Sequence, residues 1–134
     1  MAAEGAALAD PMCGVGTFLV EGAMIAADIA PNLNRIHWGF DAWLGHVPAI
    51  WKKLHEEATE RAEIGMAKPP LWIRGYEADP RLIQPARNNI ERAGLSHWIK
   101  IYQGEVATFE PRPDQNQKGL VICNPPYGCL LYTS

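Results

Sequence analysis

The amino-acid sequence predicts an α/β fold built around a parallel, doubly wound sheet, and three observations support this. Short apolar runs that are typical of strands recur along the chain, at residues 6–10, 71–76, 98–103 and 119–123. Segments with helical periodicity separate most of these runs, and such alternation favours parallel strands with helices packed on the sheet. The length of 134 residues also suits one domain with a modest core. We therefore expect a single domain over residues 1–134.

Helices are predicted over residues 17–30, 48–66 and 80–93. Pro31 marks the end of the first helix, and Pro48 lies near the start of the second. Asp79 is placed to cap the third helix, with Pro80 at its first position and Gly94 just after its end. The second helix is interpreted as an insertion on the outside of the sheet, because it lengthens the connection between the first two strands.

Composition narrows the classes of function. Apolar residues make up 48% of the chain and charged residues 20%, which is ordinary for a globular protein. No apolar run approaches the length of a membrane span, and the N-terminus lacks a signal-peptide pattern. The cysteines are odd in number, lack metal-ligand spacing and fit a reducing compartment. We therefore expect a cytoplasmic protein without a membrane segment or a metal site.

The first predicted strand runs into a turn that contains two glycines. Asp10 ends the strand, and Gly14 and Gly16 precede an apolar helical segment. Glycines in such a turn let the backbone approach a ligand closely. A dinucleotide-binding fingerprint would require a third glycine three residues after the second, but Leu19 occupies that position. The turn therefore predicts a ligand-binding loop and disfavours a nicotinamide dinucleotide.

A polar and aromatic segment follows the last apolar run, residues 119–123, which is interpreted as a buried strand. It reads Asn124-Pro125-Pro126-Tyr127 and would lie at the carboxyl edge of the sheet, where α/β proteins bind ligands. The side-chain oxygen of Asn124 and the carbonyl of Pro125 are two acceptors that suit an amino group with two N–H donors. Tyr127 offers a ring on which a base could stack. This arrangement predicts recognition of a planar amine.

These segments resemble the successive motifs of S-adenosylmethionine-dependent amino-methyltransferases. The matching positions are the run from Asp10 to Thr17, then Glu77, then the run from Asn124 to Tyr127. Residues 24–31 and 38–40 narrow the resemblance to bacterial methyltransferases that modify guanine N2 in 23S ribosomal RNA and usually have a THUMP domain upstream. The resemblance extends over about residues 6–128, and the tail at 129–134 does not match it.

The resemblance implies a Rossmann-like, three-layer class I methyltransferase fold whose complete sheet has seven strands ordered 3-2-1-4-5-7-6. Four strands are predicted here, so we expect a truncated domain with residues 119–123 at an open edge that favours self-association. The net charge of −3 disfavours tight RNA binding by this chain alone. The resemblance therefore implies that a missing THUMP module captures the 23S rRNA, and that the isolated chain binds cofactor with little or no activity.

The expected cofactor is S-adenosylmethionine, and the resemblance implies that it is bound by Asp10, Pro11, Cys13, Gly14, Gly16, Glu77 and Glu105. Asp10 would contact the methionine part, Glu77 would accept both ribose hydroxyls, and Glu105 would accept from the adenine amino group. Each carboxylate has a structural alternative. Asp10 could cap the turn, Glu77 could be a solvated acid before a helix, and Glu105 could be an ordinary turn carboxylate.

Asn124, Pro125 and Tyr127 are the predicted catalytic residues, which would hold the acceptor amine beside the methyl donor. The same four-residue segment suits other acceptors, namely adenine N6 in DNA or a glutamine side chain in a protein. A nucleotide-binding module without catalysis and a dehydrogenase are rivals from other classes. A binding comparison of S-adenosylhomocysteine (SAH) with NADH would separate these classes.

Overall fold

The computed structural model describes residues 7–110 and 118–126. In these residues it contains four parallel strands: β1 (Ala7–Asp10), β2 (Trp72–Glu77), β3 (Ile99–Gln103) and β4 (Gly119–Val121). Their order across the sheet is β3-β2-β1-β4, with the first strand in the interior. The predicted parallel α/β class is confirmed, and the order equals the one that the resemblance implied for these four strands.

The helices are α1 (Thr17–Ala26), α2 (Pro48–Met66) and α3 (Pro80–Arg92), and a short 3₁₀ turn covers Val106–Thr108. The predicted bounds of α2 are confirmed, and those of α3 differ by one residue. Asp79 caps α3 by accepting the backbone N–H of Arg81 at 2.9 Å. Gly94 follows that helix with a φ of +71°, a conformation that glycine adopts without strain.

The predicted end of the first helix at residue 30 is wrong, because α1 ends at Ala26. Asp28 adopts a left-handed conformation with a φ of 56°. The N–H of Ile29 donates to the carbonyl of Met24, and the N–H of Asp28 donates to that of Ile25. These two bonds form a Schellman motif, which satisfies the last carbonyls and stops the helix before Pro31.

The described residues divide into two compact units. The first, called here the sheet unit, comprises the described residues up to Ala23 and from Pro70 onward. The second, called the helical unit, is Met24–Pro69. No helix among the described residues has the length and apolar character needed to cross a membrane.

In the sheet unit, α1 and α3 pack on the face of the sheet that contains Ile73. Leu8 pairs with Ile73 in register, and a Cβ added to Gly22 of α1 would clash with Leu8. Gly75 lies on the same face, and a Cβ there would clash with Leu19 of α1. The resulting core consists of Leu19, Ala23, Ile73, Ile83, Ala86, Ile90, Leu95, Trp98, Ile99 and Ile101.

Strand β4 differs from its prediction. The apolar run at 119–123 was expected to form a buried strand, but all three residues of β4 are exposed and the strand is shorter. The strand pairs with β1 alone among the described residues, so its second edge and much of its surface face outward. Apolar composition identified the strand correctly, whereas its burial depends on neighbours that composition does not specify.

The helical unit is held together by aromatic and polar contacts. Trp38 stacks on Phe40 with ring centroids 5.7 Å apart, and Trp51 meets both rings edge-on at 5.0 and 4.9 Å. Arg61 of α2 donates two hydrogen bonds of 2.8 Å to the carboxylate of Asp28. These contacts link α2 to the loop at 31–46 and to the residues that follow α1.

Candidate functional site

The carboxyl ends of the parallel strands bring the predicted site segments to one edge of the sheet. Asp10 is the last residue of β1 and Glu77 the last of β2, the strand beside it. The N–H of Ile122 donates to the carbonyl of Ala9 at 2.9 Å, so pairing with β1 continues just past β4. Asn124 follows two residues later. The sheet therefore places the acidic residues, the glycine turn and the start of the Asn-Pro-Pro segment at the same edge.

Asp10 is only 2% exposed and is the buried charged residue of the described core. One of its carboxylate oxygens accepts the N–H of Met12 at 3.0 Å, so it caps the turn that follows β1. Burial raises the pKa of Asp10, the bond from Met12 opposes this, and the charge of Glu77 adds to the increase. The structural alternative for Asp10 is therefore realised, while its contact with a methionine group stays a prediction.

The turn between β1 and α1 requires both of its glycines. Gly14 has a φ of +54° and Gly16 a φ of +85°, both in the region that side chains rarely adopt. A Cβ at Gly14 would meet no atom within 4 Å, so open space lies against the backbone there. At Gly16, a Cβ would lie 3.9 Å from Ile90 and 4.0 Å from Ala86, both on α3. The open side of the turn at Gly14 is thus where a ligand could approach the main chain.

The two carboxylate oxygens of Glu77 accept hydrogen bonds from two different turns. One oxygen accepts the N–H of Gly14 at 2.9 Å, and the other accepts the N–H of Asp79, also at 2.9 Å. Glu77 therefore links the glycine turn to the turn that leads into α3. Each carboxylate oxygen has a second lone pair, so these bonds leave acceptor capacity for sugar hydroxyls. The predicted ribose contact stays a prediction.

Cys13 and Pro11 are buried parts of the turn. Cys13 lies against β2, because its Sγ would be 2.9 Å from a Cβ added to Gly75, and its N–H donates to Tyr76 at 2.9 Å. Burial, followed by the charges of Asp10 and Glu77, raises the pKa of the Cys13 thiol to about 12. The thiol therefore stays protonated at neutral pH, and Cys13 acts here by packing.

Glu105 occupies a different environment from Asp10 and Glu77. It is exposed and directly precedes the 3₁₀ turn Val106–Thr108, whose start its side chain does not cap. Its backbone carbonyl accepts the N–H of Thr108 at 3.1 Å. This geometry agrees with a turn carboxylate, and the predicted contact with an adenine amino group stays a prediction.

Of the predicted catalytic residues, Asn124 and Pro125 are described and both are exposed. Tyr127 and the tail at 129–134 lie outside the described residues. Cys123, the residue before Asn124, is exposed, and its pKa is raised by partial desolvation and then by the charge of Asp10. Over the described ranges, no group of three or more His, Cys, Asp or Glu residues could hold a metal ion.

Asn89 of α3 contacts the glycine turn, and the sequence did not predict this contact. Its side-chain NH₂ donates to the carbonyl of Val15 in the glycine turn at 3.1 Å. The two residues are 74 positions apart, so no local pattern could reveal the contact. The only available signal was the helical periodicity, which places Asn89 beside the buried Ile90 without indicating what its amide meets.

Comparison with known proteins shows the family. Residues 2–133 match the family described as "RMKL-like, methyltransferase domain". The chain belongs to this family. A Ribosomal RNA large subunit methyltransferase K/L from Pseudomonas fluorescens (strain Pf0-1) is 87% identical over 96% of the chain. The chain spans only 17% of that relative's length.

Two solved structures have a similar fold. One is a candidate methyltransferase in complex with SAH, which is 35% identical over 93% of the chain with a TM-score of 0.79. The other, from Listeria monocytogenes (str. 4b F2365), is named as a predicted N6-adenine-specific DNA methylase, and it is 36% identical over 93% of the chain with a TM-score of 0.76. The chain spans 31% of each of these proteins.

Proposed function

We propose that this chain is the cofactor-binding part of a methyltransferase that uses S-adenosylmethionine to methylate the exocyclic N2 amine of a guanine in 23S ribosomal RNA. The observation that supports this most directly is the meeting of an open glycine turn, Glu77 and the Asn-Pro-Pro segment at one sheet edge. The 87% identity to a large-subunit rRNA methyltransferase supports the choice of ribosomal RNA.

The residues at the turn suit S-adenosylmethionine. Open space against Gly14 lets the cofactor approach the backbone, and Glu77 provides acceptor oxygens for the two hydroxyls of its ribose. The carboxylate of Asp10 lies at the adjacent strand end and suits the positively charged methionine part. When bound, this cofactor supplies an activated methyl group. The complex of a similar protein with SAH agrees with this assignment.

The acceptor amine would be held by Asn124, Pro125 and Tyr127. The side-chain oxygen of Asn124 and the carbonyl of Pro125 would accept its two N–H groups and direct the nitrogen lone pair toward the methyl group. Tyr127 would stack on a base that has been flipped out of its helix. Much of the acceleration then comes from proximity, and the amine can lose its proton after the nitrogen becomes cationic.

Several features of the whole protein belong to the same proposal. The chain spans 17% of its rRNA-methyltransferase relative and has a net charge of −3, so we assign RNA capture to a THUMP module outside this sequence. We place the protein in the cytoplasm, where ribosomal RNA is its substrate.

The exposed β4 supports self-association of the isolated chain through its open edge.

The test is Asn124→Ala in the longer protein that contains this chain, with Asn88→Ala on the surface of α3 as the matched control. We expect Asn124→Ala to lower turnover on unmodified 23S rRNA by about 100-fold, the scale of losing one transition-state hydrogen bond. The Kd for SAH, measured by calorimetry, should stay near wild type because Asn124 is assigned to the acceptor. Near-normal turnover with a weakened SAH affinity would refute the assigned role.

A second candidate acceptor is adenine N6 in DNA, which the name of the Listeria protein favours. The hydrogen-bond chemistry of the Asn-Pro-Pro segment suits either amine. Methylation assays of the longer protein on unmodified 23S rRNA and on adenine-containing DNA, in parallel, separate the two. We expect methylation of the rRNA, and transfer confined to DNA would favour the second candidate.

A further inference from the structure

The contact between α3 and the glycine turn has a defined direction. Asn89 donates from its side-chain NH₂ to the carbonyl of Val15 at 3.1 Å. Its side-chain oxygen accepts from the guanidinium of Arg92 at 3.3 Å. Because arginine can only donate, it fixes the oxygen of the Asn89 amide toward itself and leaves the NH₂ for Val15. Arg92, on the same helix, therefore sets the orientation of the Asn89 amide.

The turn is held on several sides by bonds that do not involve a ligand. The N–H of Cys13 donates to Tyr76 of β2, and the N–H of Gly14 donates to Glu77 at the end of that strand. Within the turn, Gly16 donates to the carbonyl of Cys13 at 2.8 Å. The Cys13 thiol also donates to the carbonyl of Gly14, with Sγ and oxygen 3.7 Å apart. Asn89 adds a hydrogen bond from α3, which fixes the carbonyl of the residue between the two glycines.

We infer that Asn89 is a positioning residue for the cofactor, which acts through the Val15 carbonyl by holding the Gly14–Gly16 turn in its binding conformation before the cofactor arrives. This inference rests on the proposed function, because it concerns the same site. Val15 lies between two residues with positive φ, so its peptide groups are the ones whose rotation would change the turn. Binding to a turn that is already ordered avoids the entropy cost of ordering it.

The neighbouring Asn88 offers a matched control. It is also an asparagine on α3, it is exposed, and its side chain accepts a hydrogen bond from Gln84 at 2.8 Å on the helix surface. Asn88→Ala therefore has the same effect on helix propensity as Asn89→Ala and also removes one side-chain hydrogen bond. The two variants differ in whether the lost bond reaches the glycine turn.

The experiment measures the Kd for SAH by calorimetry in wild type, Asn89→Ala, Asn89→Asp and Asn88→Ala. Asn89→Asp keeps the shape of the side chain but replaces the NH₂ donor with oxygen, and it serves if the alanine variant folds poorly. We expect both Asn89 variants to weaken SAH binding by about two- to tenfold, the scale of one hydrogen bond. Asn88→Ala should leave the Kd unchanged. In the longer protein, Asn89→Ala should raise KM for S-adenosylmethionine and leave kcat unchanged.

Equal Kd values in wild type and the Asn89 variants, or equal losses in the Asn88 and Asn89 variants, would overturn the inference. If wild type itself fails to bind SAH, the proposed function fails, and the backbone amide NMR signals of Gly14, Val15 and Gly16 then decide the inference. Shifts of these signals in the Asn89 variants but not in Asn88→Ala would support a preformed turn. Unchanged signals in the Asn89 variants would refute it.

Discussion

The sheet unit and the helical unit are stabilised by different kinds of contact. In the sheet unit, Leu19 and Ile73 are fully buried between α1 and the strands. In the helical unit, the large apolar residues Ile36, Leu44, Ile50, Leu54 and Ile64 are all exposed. That unit buries only small apolar residues such as Ala27 and Ala62, and its other contacts are an aromatic cluster and an exposed ion pair between Asp28 and Arg61. Burial of aliphatic side chains thus dominates one unit, and ring and polar contacts dominate the other.

The two units also differ in whether they contain the candidate site. Every predicted site residue that the structure describes lies in the sheet unit: Asp10, Pro11, Cys13, Gly14, Gly16, Glu77, Glu105, Asn124 and Pro125. Rigid packing holds the turn after β1 and the end of β2, where ligand groups must be placed accurately. We therefore expect substitutions in the sheet unit to affect both stability and ligand binding, and those in the helical unit to have smaller effects.

The largest expected effect is a difference in the free energy of unfolding when a leucine is replaced by alanine in each unit. Leu19→Ala removes a fully buried side chain and should lower the free energy of unfolding by about 2–5 kcal/mol. Leu54→Ala removes a side chain that is 52% exposed and should cost less than about 1 kcal/mol. Urea denaturation followed by circular dichroism measures both values. Similar losses in the two variants would mean that Leu54 is buried in solution and that the contrast is false.

The next effect concerns ligand binding. Glu77→Ala removes the carboxylate that bonds to Gly14 and Asp79 and that is assigned to the ribose, so SAH binding should weaken by about 1–3 kcal/mol. Glu60→Ala, at an exposed position of α2, is the control from the helical unit and should not change the affinity. Calorimetry that gave Glu77→Ala the affinity of wild type would remove this residue from the site.

The smallest expected effect is the pH dependence of stability, which should have opposite signs for one aspartate in each unit. Burial raises the pKa of Asp10, so the folded state retains this proton above the ordinary pKa of 3.8 and stability falls as the pH rises through that range. A hydrogen bond from Arg61 lowers the pKa of Asp28, so its contribution is present at neutral pH and is lost as the pH falls through its folded pKa.

At pH 7, Asp10→Asn should therefore increase the free energy of unfolding, since the amide retains an acceptor for Met12 without a buried charge. Asp28→Asn should decrease it, although asparagine suits the positive φ at this position. Both differences from wild type should shrink toward pH 3. Urea denaturation between pH 3 and 8 provides the measurement, and a shared sign at pH 7 would contradict the assigned environments.

The sequence predicted most of the fold because several boundaries have local causes. Asp79, Pro80 and Gly94 define both ends of α3, and Pro48 defines the start of α2. The predicted end of α1 was wrong because the helix is terminated by the left-handed conformation of Asp28. An aspartate permits this conformation but does not require it. The exposure of β4 was missed for a different reason, since burial is a property of the neighbours and not of the strand.

The site was predictable in position and less so in detail. Parallel strands place their carboxyl ends at one edge, so Asp10 and Glu77 could be assigned to a common site from their positions alone. The bonds of Glu77 to two turn N–H groups depend on backbone geometry that spacing does not determine. The contact of Asn89 with Val15 joins positions 74 residues apart. It depends on how α3 packs beside the turn, which local sequence patterns do not determine.

The backbone hydrogen bond from Ile122 to Ala9 sets how far Asn124 lies from the end of β1. This bond places Ile122 beside Ala9, the penultimate residue of β1. In an extended chain, Asn124 lies about 7 Å beyond Ile122. Exchanging the side chain at Cys123 leaves that distance unchanged. Adding one residue there would lengthen it and turn the asparagine to the opposite side. Substitution of Cys123 should therefore disturb the position of Asn124 less than an insertion or a deletion there.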